Sequence, residues 1–179
     1  MSYTNYSIPT KKEQNANTNL DQDLKLSRDQ RYQARQSEIK DYVFKTLEIP
    51  QETINEYNRL QYDLVDILKD GELLCKLGQL LPIEPNPCRG YKYSKTPFKQ
   101  MENISYFLKA CEMIKLPHDE IFMTVDLFER KDPYQVVVTL LSFSRIANEL
   151  SPNSFPTKVG PKVTKKKPPI PYKPLHLRA

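Results

Sequence analysis

"DPYQVVVTLLSFSRIANEL" (residues 132–150) decides how this chain folds. Asp132 offers a carboxylate to the free N–H groups of a first helical turn. Pro133 follows at the first helical position, where its missing N–H costs nothing. Val136, Val137, Val138, Leu140, Leu141, Phe143, Ile146 and Leu150 then fall nearly all round the helix. A helix apolar on most sides belongs at the centre of a domain, and other helices must cover it.

The covering helices are legible upstream. "RQSEIKDYVFKTL" spaces Ile39, Tyr42, Val43, Thr46 and Leu47 along one face, with Ser37 as the expected N-cap and Pro50 just beyond the far end. "ETINEYNRLQYDLVDIL" gives a weaker stripe through Ile54, Tyr57, Leu60, Leu64 and Leu68. In "DGELLCKLGQLL", Asp70 is placed to accept first-turn N–H groups and Gly71 permits a close approach, ahead of an apolar face of Leu73, Leu74, Leu77, Leu80 and Leu81. Residues 82–97 hold four prolines and read as an irregular loop. "FKQMENISYFLKACEMIKL" restores the helical period with Phe98, Met101, Ile104, Phe107, Leu108, Cys111 and Ile114, and "DEIFMTVDLF" is a short apolar helix or turn. No paired runs of alternating polarity mark a hairpin, so the fold class is all-α, a compact helical bundle over residues 35–150 with a buried C-terminal helix.

The flanks differ. Residues 1–20 are polar and nearly devoid of aliphatic side chains, which predicts disorder, while residues 21–34 have scattered apolar positions that suit a short helix lying on the domain. Residues 151–179 contain seven prolines and read as an extended tail, locally polyproline II. Charge follows the same division. Residues 1–34 carry 5 basic and 4 acidic side chains, residues 35–150 carry 15 and 18, and residues 151–179 carry 7 and 0. The whole positive excess of the chain therefore sits in the tail.

Little in the sequence supports catalysis. His118 and His176 have no evident partner, and Cys75, Cys88 and Cys111 lack metal-ligand spacing and read as small core hydrophobes. Asp63, Asp66, Asp70 and Gly71 look calcium-like but miss the alternate-position spacing of an EF-hand loop, and no glycine-rich phosphate loop occurs. No enzyme activity, cofactor or metal is expected. The odd cysteine count suits a reducing compartment, and neither a signal peptide nor a membrane-inserting run is present.

Three stretches together go beyond generic patterning. "LKDGELLCKL" (68–77), "KTPFKQMENISYFLKAC" (95–111) and "DLFERKDPYQVVVTLLSFSR" (126–145) resemble, in order and spacing, the signatures of calponin homology domains. "FPTKVGPKVTKKKPPIPYKP" (155–174) is similar to the segment that follows the single domain in fungal members of the transgelin/calponin family. Two departures stand out. Tyr42 occupies a place where many members carry tryptophan, and residues 151–179 contain no glycine-rich repeat of the kind that usually closes such proteins. The resemblance implies a non-enzymatic protein of the cortical actin cytoskeleton that binds and cross-links F-actin.

Against an acidic filament, the tail lysines Lys158, Lys162, Lys165, Lys166, Lys167 and Lys173 are the first contact candidates, held extended by the prolines between them. On the domain, "KYSKTPFKQ" (92–100), with Lys92, Lys95 and Lys99, and Arg145 offer a second contact, which cross-linking by one molecule requires. Lys165, Pro168 and Pro171, and in reverse sense Pro168, Pro171 and Lys173, also fit the two orientations of an SH3 ligand. That motif supports the alternative of an adaptor with weak or no direct actin contact. Nucleic acid is not an expected partner, because the domain is acidic and the last twenty residues offer one aromatic, Tyr172.

Overall fold

The computed structural model describes residues 20–160, and within them every regular element is helical. In chain order the helices are α1 (Leu20–Thr46), α2 (Gln51–Arg59), α3 (Leu64–Leu68), α4 (Glu72–Gln79), α5 (Pro97–Met113), α6 (Thr124–Phe128) and α7 (Pro133–Leu150). Short 3-10 turns occupy Pro87–Gly90 and His118–Glu120.

Helix α7 is built as its sequence requires. The Asp132 carboxylate accepts the Gln135 N–H, and Val136, Val137, Thr139, Leu140, Ser142, Phe143, Ser144 and Ala147 are buried on several sides of the helix. It packs along α1, against α6 and on the 118–120 turn. From its middle, Phe143 meets Phe107 of α5 with ring centres 5.2 Å apart. Cys75, Cys88 and Cys111 are buried free thiols in the same core. Burial raises Cys111, and hydrogen bonding with Cys88 followed by burial raises Cys75, so both stay protonated.

Leu80 and Leu150, expected on apolar faces, are exposed at the ends of their helices, and four larger expectations need correction. The first helix starts at Leu20 rather than after Ser37, which lies exposed within it. Its N-terminal half is held by contacts distant in sequence. Tyr32 is buried, Arg28 pairs with Asp132 at 2.6 Å, and Arg28 and Arg31 lie over the Tyr134 ring. Such docking supplies what the scattered apolar pattern of residues 21–34 does not. Second, the stripe from Ile54 to Leu68 is two helices. The chain turns at Gln61, which adopts φ 54°, and Leu60 is exposed. Asp63 and Asp66 then form a capping box at the start of α3.

Third, Phe98 is 70% exposed instead of lying on the apolar face. The first turn of α5 projects past the packed core, which begins at Asn103 and Ile104. Fourth, residues 151–160 form no helix or strand, yet they are not a free tail, because Phe155 and Val159 are buried in the domain.

Gly71 holds α4 against α5. It adopts φ 72°, and a Cβ there would lie 2.7 Å from the Ile104 nitrogen. The Asp70 carboxylate accepts the Glu72 N–H at 2.9 Å, as its position suggested, from one residue outside the cap.

Candidate functional site

Two basic regions are candidates for a binding surface, and the fold displays them differently. The first is the segment entering α5. Its organiser is Asn103, only 2% exposed, whose Nδ2 donates to the carbonyls of Lys92 (2.9 Å) and Asp70 (3.2 Å). Its Oδ1 accepts the Lys92 N–H at 3.1 Å. One buried amide thus fixes the backbone of the loop and of the Asp70–Gly71 turn onto α5. Its helical periodicity did not single it out; the sequence signal that includes it is the "MENI" (101–104) of the family-like stretch.

With the backbone pinned there, the side chains project outward. Tyr93 and Phe98 are 71% and 70% exposed, and Lys92 and Lys95 are exposed beside them. Lys99 bonds to Glu102 at 2.6 Å and lies 5.8 Å from the Phe98 ring centre. The Glu102 carboxylate raises the Lys99 ammonium, and Lys99, with the Tyr106 hydroxyl, lowers Glu102. Lys92, Lys95 and Lys99 therefore share one aromatic-edged patch. Arg145 does not join it, because its partners are Ser142 at 2.6 Å and, at 3.8 Å, Glu120.

The second region is the root of the tail. Phe155 is fully buried, edge-on to Phe143 with ring centres 5.7 Å apart. Its carbonyl accepts from Asn148 Nδ2, and its N–H donates to the Ser151 carbonyl. Ser144 Oγ accepts the Val159 N–H at 3.1 Å, and Gly160 donates to the Glu38 carboxylate of α1 at 3.2 Å. Gly160 adopts φ 91° with Leu141 packed against it, so the last described residue has a defined place between α1 and α7. Lys158 stands within this root, 50% exposed and 3.8 Å from Glu149. The other tail candidates, Lys162, Lys165, Lys166, Lys167, Lys173, Pro168 and Pro171, lie outside the described residues.

The remaining acidic cluster has a different role. Asp63 and Asp66 both bind Arg130, which itself adopts φ 57°. Burial alone would raise Asp63, but the Asp66 N–H, the Tyr32 hydroxyl and Arg130 together hold its carboxyl below the usual carboxylate range. These carboxylates join α3 to the turn before α7. Among the described residues no group of three or more His, Cys, Asp or Glu is placed to hold a metal ion, and no helix is long and apolar enough to cross a membrane.

An all-helical domain around a buried C-terminal helix, with D-G and D-L-F-E signatures at its helix junctions, defines a class. The profile of the calponin homology (CH) domain matches residues 33–149, and the chain belongs to the calponin homology domain family. Within that class it is similar to the transgelin of Saccharomyces cerevisiae, 40% identical over 168 residues that cover 90% of this chain and 80% of the relative. It is also similar to the transgelin of Schizosaccharomyces pombe, 40% identical over 123 residues and 66% of each chain. Myophilin of Echinococcus granulosus is 44% identical over 99 residues, 55% of this chain and 50% of that one.

Proposed function

We propose that this chain is a non-enzymatic actin-filament binding protein that cross-links filaments in the cytoplasmic, cortical actin cytoskeleton. The observation that carries this reading is the distribution of charge. All seven basic residues after Leu150 occur without a single acidic one, while residues 35–150 hold more acidic than basic side chains. An acidic polymer attracts such an arm over roughly one Debye length, about 8 Å at physiological ionic strength. The domain's part is to orient the arm, since Phe155 and Gly160 fix where it begins. The similarity to transgelins supports the choice of filament as target.

In this scheme Lys162, Lys165, Lys166, Lys167 and Lys173 make the main contact, with Lys158 at its edge. The patch of Lys92, Lys95 and Lys99 makes the second contact needed to join two filaments. Arg145, already engaged with Ser142 and Glu120, contributes less than the patch. A second reading of the tail is favoured by its own motif, in which Pro168 and Pro171, with Lys165 or Lys173, dock an SH3 domain.

High-speed cosedimentation with purified F-actin tests the filament reading. The full chain should pellet at low salt and be released steeply as salt rises. A chain that stays in the supernatant at low salt would overturn it.

A further inference from the structure

The chain contains two Ser/Thr–Pro dipeptides, Thr96–Pro97 and Ser151–Pro152, and they sit in opposite settings. Thr96 is exposed, with extended backbone (φ −79°, ψ 131°), and its hydroxyl shares a hydrogen bond with Ser94 Oγ. Ser151 is half-buried, its hydroxyl bonded to Ser154 Oγ and its carbonyl holding the Phe155 N–H that roots the tail. The continuation also differs. "TPFK" (96–99) places a lysine three residues after the acceptor, whereas "SPNS" (151–154) has none.

Each part of "TPFK" has a reader in a kinase groove. Proline directly after the acceptor fixes φ and offers no N–H, which suits a pocket that leaves a backbone donor unsatisfied and so rejects other residues. A cation at the third following position pairs with an acidic pocket. Pro97 and Phe98 are exposed and Lys99 is tied only to surface groups, so no core side chain precedes Asn103. Opening the first turn of α5 into an extended strand therefore gives up helix-end hydrogen bonds, beginning with Gln100 N–H to the Thr96 carbonyl, and little apolar packing.

We propose that Thr96 is a phosphoacceptor for a proline-directed Ser/Thr kinase that selects a basic residue at the third position after the acceptor, and that its phosphorylation disables the 92–99 patch as a filament contact. The second half rests on the reading of that patch as the second actin contact. In the transfer, Thr96 Oγ1 forms a bond to the γ-phosphorus of ATP. The bond from that phosphorus to the β,γ-bridging oxygen breaks, ADP leaves with the electron pair, and the hydroxyl proton passes to the kinase's base. The product adds about −1.5 to −2 charge within a segment whose cations are Lys92, Lys95 and Lys99. The tail is untouched, so a modified molecule still decorates one filament but no longer joins two.

Incubation of the full chain with a cyclin-dependent kinase holoenzyme and Mg-ATP, followed by phosphosite mapping, tests the acceptor. Phosphate should appear on Thr96, vanish in Thr96→Ala, persist in Thr96→Ser, and fall several-fold in both Pro97→Ala and Lys99→Ala. Circular dichroism would check that each variant keeps its helices. Label on Ser151 in place of Thr96, or Thr96 labelling unmoved by Pro97→Ala, overturns the assignment. The purified phosphorylated chain is then compared with the unmodified chain on F-actin. Low-speed pelleting of bundles should drop several-fold while high-speed pelleting is retained, and equal bundling by both forms overturns the switch. Failure of the unmodified chain to pellet at all would instead count against the filament reading, and the phosphate map would still decide the acceptor.

Discussion

Helix α7 and the ten residues after it bury comparable groups by opposite means. In α7, a cap, a helical period and an apolar surface agree, and Leu140 and Phe143 are buried as the pattern demands. From Ser151 to Gly160 the prolines exclude helix and strand, yet Phe155 and Val159 are buried as well. Proline forbids a backbone pattern but says nothing against burial of a neighbouring side chain, even that of Phe155 directly before Pro156. The segment is held by separate anchors: one ring against Phe143, one amide on the Phe155 carbonyl, one serine hydroxyl on the Val159 N–H, and one carboxylate on the Gly160 N–H.

If the two regions are energetically alike, chemical denaturation of point variants will show it. Phe155→Ala should cost about 3–5 kcal/mol, as for a buried aromatic in any core. A cost below about 1 kcal/mol would return residues 151–160 to the status of a free tail. Leu140→Ala should cost roughly 2–5 kcal/mol, and a value near zero would displace α7 from the centre. Ser144→Ala leaves the Val159 N–H without its partner and should cost about 1–3 kcal/mol. Lys158→Ala breaks an exposed pair with Glu149 and should change stability by no more than about 0.5 kcal/mol. A large effect there would mean that the root is held by charge rather than by Phe155.

The same contrast explains what could be read in advance. Patterns that repeat within one element were legible: the Asp132 cap, the α7 surface, and the basic run Lys92, Lys95 and Lys99. Features that depend on residues far apart in the chain were not. The Arg28–Asp132 pair joins positions on α1 and just before α7, so the local window around residues 21–34 suggested a short helix but not its continuity with the helix that follows. Asn103 organises the patch through the carbonyls of Asp70 and Lys92, neither of which leaves a mark on side-chain periodicity. Phe98 fits the apolar period of α5 and is still exposed, because periodicity assigns a face but not how far along the helix its neighbours reach. Phe155 had no period to belong to.

Tyr42 shows a smaller consequence of a family position filled differently. It is buried, and its hydroxyl has no hydrogen-bond partner among the described residues, although Thr46 is a polar neighbour one turn on. Tyr42→Phe should therefore be neutral or stabilising by up to about 1 kcal/mol, measured by the shift in denaturation midpoint. A clear loss of stability would mean that the hydroxyl is satisfied after all.

The location of the root also dictates how the filament contact is tested. A chain ending at Ser151 would remove Phe155 and Val159 and so confuse loss of the lysines with damage to the core. A chain ending at Gly160 retains Phe155 and Val159 and removes Lys162, Lys165, Lys166, Lys167 and Lys173. High-speed cosedimentation of this chain and the full chain with F-actin at low salt is the direct comparison. The shortened chain, at unchanged stability, should lose most of its pelleting; pelleting equal to that of the full chain would mean that the tail lysines are not the main filament contact.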